Sequence, residues 1–177
     1  MLNTIIQNPS KNHHFTIGDS IKIFISEDYD SYGKIIKTYG RKPYTNFKIS
    51  WYYRPNDIFE NVPKFFSSAE LLISDHIQDI SIENIDGKIE VLTLKEYHSR
   101  SQVNEDVFFT RGWYCPIENV LKPTLSHWER VCLCESILNP DEIYVTCEKC
   151  ENMFHFECVE GGFEIYWTCD SCSLGKM

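Results

Sequence analysis

The chain has 177 residues, of which 42% are hydrophobic and 14% aromatic, and its formal net charge at pH 7 is −9. This composition supplies a hydrophobic core and excludes a disordered chain. No apolar run reaches the roughly 18 residues of a membrane span, and residues 1–15 lack the charged-then-apolar layout of a secretory signal, so neither a membrane protein nor an exported one is expected.

The first two thirds of the chain show the alternation that is typical of β-strands. Residues 1–14 have no periodicity and are predicted to form a flexible arm. From Phe15 onward, a turn at Gly18 precedes alternating isoleucines over 21–25, and a second strand is expected over 32–38.

A third strand carries large side chains at every second position, at Phe47, Ile49, Trp51 and Tyr53. Because successive side chains of a strand point to opposite faces, these four lie on one face. Pro55 ends the strand, since proline cannot extend a central ladder.

Residues 67–72 are predicted to form one or two helical turns behind a serine cap. Further strands are expected over 89–94 and 106–114. The sequence therefore predicts a mainly β fold, with an antiparallel β domain and short helices over 15–120, followed by a short packed linker over 121–130.

The last third of the chain carries eight potential metal ligands in closely spaced pairs. They are Cys132, Cys134, Cys147, Cys150, His155, Cys158, Cys169 and Cys172. Such pairs of soft donors suit tetrahedral zinc, and eight ligands form two closed sites with no open position for water. This predicts two structural Zn²⁺ ions and argues against hydrolytic zinc. The alternative is a disulfide framework, which the lone histidine and the absence of a signal peptide disfavour.

The same region is strongly acidic. Residues 131–172 contain nine acidic side chains and one basic side chain, Lys149, so their formal charge is −8. An acidic surface repels phosphate, so direct DNA binding is not expected, whereas a basic peptide is a suitable partner.

The order of the ligands, four cysteines, one histidine and three cysteines, resembles that of the PHD finger, and Trp167 matches an aromatic residue typical of that family. The resemblance implies a cross-brace finger over 131–173 in which the ligand pairs interleave. One ion would be held by Cys132, Cys134, His155 and Cys158, and the other by Cys147, Cys150, Cys169 and Cys172. The RING-CH variant of ubiquitin ligases shares the order, but it usually has a tighter second pair and a longer gap before its histidine.

Several stretches of the first domain resemble a BAH (bromo-adjacent homology) domain. They are FTIGD at 15–19, WYYRP at 51–55, ELLISDH at 70–76 and IDGK at 85–88. A BAH domain followed closely by a PHD finger resembles the small plant-type BAH–PHD histone readers. The resemblance implies a nuclear chromatin protein.

In such readers an aromatic cage holds trimethyl-lysine, and the resemblance carries this cage over to Tyr32, Trp51 and Tyr53. A trimethylammonium group cannot donate a hydrogen bond and is recognised by the negative faces of aromatic rings. The alternative is that the three rings are core aromatics. The mark implied by the resemblance is histone H3 trimethylated at lysine 27.

Ser74 and His76 match positions that contact the histone peptide beside the methylated lysine in such readers. An acidic residue often lies two positions after the histidine in these relatives, and Gln78 stands there in this chain. The preference for the sequence around the lysine therefore stays open.

The finger has two candidate roles. PHD fingers commonly bind the H3 N-terminus as an added strand, and Asp141, Glu142 and Tyr144 are candidate contacts for such a peptide. Met153 stands where fingers that read trimethylated lysine 4 carry tryptophan, so that activity is not transferred. The other role is a scaffold that binds no peptide.

The sequence thus predicts a non-enzymatic chromatin adaptor that binds a methylated histone H3 tail. It shows no phosphate-binding loop, nucleophile–base pair or open metal site. Two alternatives remain: a module that binds subunits of a chromatin-modifying complex and reads no mark, and a zinc-dependent ubiquitin ligase. The PHD-type spacing and the acidic surface argue against the ligase.

Overall fold

A computed structural model describes residues 6–7, 14–26, 29–41, 44–159 and 167–174 of the chain. The chain divides into two compact units. The first comprises Met1–Val62 and Ser68–Pro123, and the second comprises Pro63–Ser67 and Thr124–Met177. None of the helices in the described residues is long and apolar enough to cross a membrane.

The first unit is organised around an eight-stranded sheet. The strands of this unit are β1 (Ile6–Gln7), β2 (His14–Phe15), β3 (Ser20–Ser26), β4 (Tyr29–Arg41), β5 (Tyr44–Tyr53), β6 (Leu72–Ser81), β7 (Ile85–Thr93), β8 (Val107–Thr110), β9 (Trp113–Cys115) and β10 (Val120–Lys122). Its short α-helices are α1 (Pro55–Ile58) and α2 (Leu94–His98). β1 pairs with β2, and the other strands form the sheet in the order β10-β9-β6-β5-β4-β3-β7-β8. Only β6–β9 and β7–β8 among the described strand pairs are parallel. The predicted mainly antiparallel β fold with short helices is confirmed.

Several local predictions differ from the structure. The strand predicted over 106–114 is two strands, β8 and β9, which have different neighbours in the sheet. Within the predicted N-terminal arm, Ile6 and Gln7 pair with Phe15 and His14. β4 begins three residues earlier than predicted, at Tyr29. The helical turns predicted over 67–72 are wrong, because this backbone pairs with β8 instead. The Leu71 amide donates to the Phe109 carbonyl at 2.8 Å, and the Phe109 amide donates to the Ala69 carbonyl at 3.0 Å. Pairing with a distant strand here overrides a weak local helix preference.

An apolar cluster lies on each side of the central strands. One consists of Phe15, Ile21, Ile23, Ile35, Phe47, Ile49, Ile82 and Ile85, and the other of Tyr32, Tyr52, Leu71, Ile89 and Phe108. The period-two alternation of β3 and β5 sends successive side chains to opposite faces and so feeds both clusters. Full burial of one such side chain contributes about 1.5–3 kcal/mol, so these clusters are the main source of stability in the unit.

The described residues of the second unit form two small antiparallel sheets. They pair β11 (Arg130–Val131) with β12 (Ser136–Ile137), and β13 (Tyr144–Thr146) with β14 (Met153–His155). A short helix, α3 (Asp170–Ser173), follows them. The ligand-rich region lies in this unit.

The segment Pro63–Ser67 contributes apolar side chains to the second unit. The ring centroids of Phe65 and Phe66 lie 6.1 Å and 5.4 Å from that of Trp128. Trp128 is only 5% exposed. Its indole is therefore buried by residues that precede it by more than 60 positions in the chain.

Hydrogen bonds reinforce this packing. The Asn139 side chain donates to the Lys64 carbonyl at 2.8 Å, and the Ser67 hydroxyl donates to the Asp141 carboxylate at 2.9 Å. Both Asn139 and Ser67 are buried. Two separate stretches of chain therefore form one packed unit.

The first unit also contains a buried ion pair. The Glu70 carboxylate is fully buried, and the Arg111 guanidinium donates to its two oxygens at 2.8 Å and 2.9 Å. Glu70 also forms a β-bridge with Phe109. The pair therefore joins the segment before β6 to the turn after β8.

Replacing Glu70 by alanine should lower the free energy of unfolding by about 3–5 kcal/mol, because the Arg111 charge is left buried without its partner. Chemical denaturation followed by circular dichroism measures the change. The matched control is Glu90→Ala, which breaks the solvent-exposed pair that Glu90 forms with Arg100. Its unfolding midpoint should barely change, and equal losses in both variants would contradict a special role for the buried pair.

Candidate functional site

Two groups of candidate metal ligands lie in the second unit. One contains Cys132, Cys134, His155 and Cys158, and the other contains Cys147, Cys150, Cys169 and Cys172. Within each group the ligand atoms all lie within 4.8 Å of one another, as donors around a tetrahedral ion with metal–sulfur bonds of about 2.3 Å must. Each group can therefore hold one metal ion, and the grouping is the interleaved one that the PHD resemblance implied.

Within the group of four cysteines, the thiols differ in proton affinity. Burial raises the pKa of Cys147, but hydrogen bonds from the backbone amides of Cys169, Cys150 and Lys149 outweigh burial and lower this pKa to about 6. Hydrogen bonding with Cys169, followed by burial, raises the pKa of Cys172 to about 12. Four thiolates this close repel one another, and a bound divalent cation favours the anionic form of all of them.

The backbone makes tight turns at the ligand pairs. Cys132 and Glu151 adopt left-handed conformations, with φ of 68° and 59°. The Glu151 amide donates to the Cys147 carbonyl at 2.8 Å. This turn brings Cys147 and Cys150 to the same group, although left-handed backbone is unfavourable for residues with a side chain.

His155 is oriented by its neighbours. Its Nδ1 atom lies 3.3 Å from the Cys134 sulfur, and its Nε2 atom lies 2.9 Å from the Glu142 carboxylate. The Tyr144 ring lies against the imidazole, with centroids 5.0 Å apart. Nδ1 is therefore the nitrogen that faces the metal position, and Nε2–H donates to Glu142. A carboxylate that orients a ligating histidine in this way is a common feature of metal sites.

The predicted peptide contacts of the finger have partners inside the second unit. Glu142 contacts His155, and the Tyr144 hydroxyl donates to the Asn139 carbonyl at 3.1 Å. Asp141 accepts the hydrogen bond from Ser67. The structure thus gives these three residues internal roles around the ligands and the packed segment.

In the first unit, Trp51, Tyr53 and His76 come together at the end of β5; they are called the aromatic site below. The His76 ring centroid lies 6.2 Å from that of Trp51 and 6.1 Å from that of Tyr53. The Tyr53 hydroxyl and His76 Nδ1 share a hydrogen bond of 2.8 Å. Trp51 and Tyr53 are half-buried and His76 is exposed. The site is therefore accessible from solvent.

β6 fixes the position of Trp51. The Ser74 hydroxyl donates to the Trp51 carbonyl at 2.7 Å and accepts from the His76 amide at 3.2 Å. The indole Nε1–H donates to the Gln78 side-chain oxygen at 3.0 Å. Ser74, predicted to contact a peptide, is buried and supports the backbone of the site.

The sequence analysis noted Gln78 two positions after His76 but did not predict its contact with Trp51. The available signal was its spacing of two from His76, which on a strand places both side chains on one face.

The surroundings of Tyr53 are acidic. Burial raises the pKa of the Tyr53 hydroxyl, and electrostatic interaction with Tyr114, Asp57 and Asp75 raises this pKa further. The hydroxyl therefore stays protonated near neutral pH and keeps its hydrogen bond with His76. Negative charge at Asp57 and Asp75 also favours a cation at this end of the sheet.

Tyr32 lies on the other face of the sheet, so its predicted place beside Trp51 and Tyr53 needs correction. β4 and β5 pair Tyr32 with Tyr52, and Gly33 with Trp51. Directly paired residues project from the same face, so Tyr32 points away from the aromatic site. It is 8% exposed and packs on Phe108, with ring centroids 4.7 Å apart.

Comparisons with known proteins agree with this fold. A family model described as the BAH domain matches residues 17–124. The chain is 30% identical over 168 residues to the chromatin remodeling protein SHL of Arabidopsis thaliana, covering 88% of this chain and 72% of the relative. It is 32% identical over 131 residues to the chromatin remodeling protein EBS of the same plant, covering 70% and 54%. The crystal structure of the yeast Rsc2 BAH domain matches at 17% identity with a TM-score of 0.56, covering 71% of this chain and 55% of that one, which shows the fold.

Exchanging Glu142 for glutamine should weaken binding of Zn²⁺ by about 10-fold or more, because the neutral amide holds the His155 ring less firmly. A competition titration against a metal-sensitive dye measures the affinity. Glu129→Gln makes the same charge change at an exposed residue and should leave the affinity unaltered. Similar losses in both variants would show that net charge, and not the orientation of His155, sets the affinity.

Proposed function

The chain belongs to the BAH-domain family, and from that premise we propose that it is a non-enzymatic chromatin reader that binds a methylated histone H3 tail. The resemblance to the BAH–PHD readers points to trimethylated lysine 27 as the mark and to the nucleus as the place of action. Two of the relatives are named as chromatin remodeling proteins, which supports a role in chromatin.

The observation that carries the proposal is the aromatic site. Trp51 and Tyr53 present accessible rings on one face. Gln78 accepts a hydrogen bond from the Trp51 indole, and His76 shares one with the Tyr53 hydroxyl. A quaternary ammonium group binds to the faces of rings, each worth about 0.5–2 kcal/mol depending on desolvation. Rings that are already fixed lose little entropy when the ligand arrives.

Charge supports a basic ligand. Asp57 and Asp75 lie close enough to Tyr53 to raise the pKa of its hydroxyl. Lysine and arginine side chains beside a methylated lysine would be attracted to the same carboxylates. A histone tail carries such lysine and arginine side chains, whereas nucleic acid is negatively charged and would be repelled by the carboxylates.

In the second unit we propose a PHD-type cross-brace with two structural Zn²⁺ ions. The donor set of seven thiols and one imidazole, in two closed groups of four, suits zinc and has no place for a reactive water. Since Asp141, Glu142 and Tyr144 have internal partners, the role best supported for the finger is that of a scaffold.

A second candidate function is a module that binds a subunit of a chromatin-modifying complex and reads no mark. The burial of Tyr32 favours it, because the predicted three-ring cage then loses one member. This candidate predicts no preference for a methylated peptide over an unmodified one.

Trp51→Ala should weaken binding of an H3 peptide trimethylated at lysine 27 by about 10-fold or more, because the largest ring face is lost. Isothermal titration with trimethylated and unmodified peptides measures the effect. The matched control, Trp113→Ala, removes a half-buried tryptophan of β9 and should retain wild-type affinity. If the wild type binds both peptides equally, the reader proposal fails and the interaction module takes its place.

Removal of metal should unfold the ligand-rich region. In model fingers, structural zinc contributes about 10–16 kcal/mol of apparent binding free energy. Excess chelator should abolish the slowly exchanging amides of β13 and β14 in hydrogen-exchange measurements, while the β3–β6 amides stay protected. Protection of β13 and β14 that survives full metal removal would refute the structural-zinc assignment.

A further inference from the structure

Tyr29 lies on the face of the sheet that carries the aromatic site. Gly33 of β4 pairs with Trp51 of β5, and residues two apart on a strand share a face. Tyr29, four residues before Gly33, therefore projects to the same side as Trp51 and Tyr53. Its side chain is 40% exposed, whereas that of Tyr32 on the opposite side is 8% exposed.

Small residues of β4 lie beside these rings. Ser31 is the next residue on this face before Gly33, and in the antiparallel order it comes beside Tyr53. A Cβ at Gly33 would lie 2.8 Å from the flexible end of the Ile49 side chain, so Ile49 covers this glycine. Extending the register of β4 and β5 one pair beyond Tyr32 and Tyr52 makes Tyr29 a diagonal neighbour of Tyr53. The Cα atoms of such neighbours lie about 7–8 Å apart, within reach of an aromatic side chain.

Tyr29 is also held in place from the turn that follows Tyr53. Its hydroxyl donates to the Asp57 carboxylate, and the other oxygen of Asp57 accepts from the Arg54 amide at 2.7 Å. The Arg54 guanidinium carbon lies 4.6 Å from the Tyr29 ring centroid and 5.7 Å from that of Tyr32, so it contacts both rings. The bond to Asp57 holds the Tyr29 ring at the strand end that carries Trp51 and Tyr53, where it lies beside both a carboxylate and a guanidinium.

We propose that Tyr29, and not Tyr32, is the third aromatic wall of the methyl-lysine site, and that Asp57 positions it. The inference rests on the proposed function, since it names a further residue of the same site. It places the third ring of the binding site at the start of β4, a position that the resemblance to BAH readers did not identify.

The test compares Tyr29→Leu with Tyr32→Leu, which remove an aromatic face and keep an apolar side chain. Each variant is titrated as the full chain with a trimethylated lysine-27 peptide, with the unmodified peptide, and with a peptide carrying the uncharged carbon isostere of trimethyl-lysine. Thermal melting checks that each variant is folded.

Tyr29→Leu should bind the trimethylated peptide about 5- to 30-fold more weakly and should lose part of the preference for the cation over its neutral isostere. Tyr32→Leu should stay within about 2-fold of the wild type. Tyr29→Phe keeps the ring and loses the bond to Asp57, so its affinity should lie between those of wild type and Tyr29→Leu.

Failure of the inference and failure of the proposed function give different results. If the wild type prefers the trimethylated peptide and Trp51→Ala abolishes this preference, but Tyr29→Leu binds like the wild type, the reader function stands and the assignment of Tyr29 is overturned. The assignment of Tyr29 is overturned in the same way if Tyr32→Leu is the variant that loses affinity. If the wild type shows no preference for the methylated peptide, the proposed function and the inference fall together.

Discussion

The pairing of β4 with β5 decides which aromatic rings of the first unit can act together. Tyr32 stands opposite Tyr52, and Gly33 stands opposite Trp51. A slip by one residue would move every side chain of one strand to the other face. A Cβ at Gly33 would lie 2.8 Å from the end of the Ile49 side chain and 3.3 Å from that of Ile23, so both side chains cover this glycine. The accessible rings and the buried rings are thus separated by one backbone constraint.

The second unit depends on a different constraint. The strands of its described sheets are only two or three residues long. Hairpins of such short strands are not stable alone. The metal ligands form a large part of its interior, with Cys147 and Cys169 buried beside Phe154 and Trp167. Of the acidic residues around them, Glu142 acts directly on a ligand by orienting His155.

Much of this arrangement could be predicted from the sequence, because it depends on local spacing. The ligand groups follow from the spacing of cysteines, and the shared face of Trp51 and Tyr53 follows from the alternation within one strand. The face of Tyr32 could not be predicted in this way, because it depends on the register between two strands. The position of 67–72 beside β8 and the contact of Glu142 with His155 likewise depend on residues far apart in the chain.

The short segment at 63–67 has a consequence for how such a protein can change over time. Because Phe65 and Phe66 bury Trp128, residues 124–177 alone do not make up the second unit. A recombination event with its boundary at residue 123 would therefore separate parts of one packed unit. Residues 124–177 transferred to another protein would lack the two phenylalanines that pack on Trp128. The two units are therefore expected to be inherited together. Substitutions in the segment Pro63–Ser67 and around Trp128 are expected to be correlated.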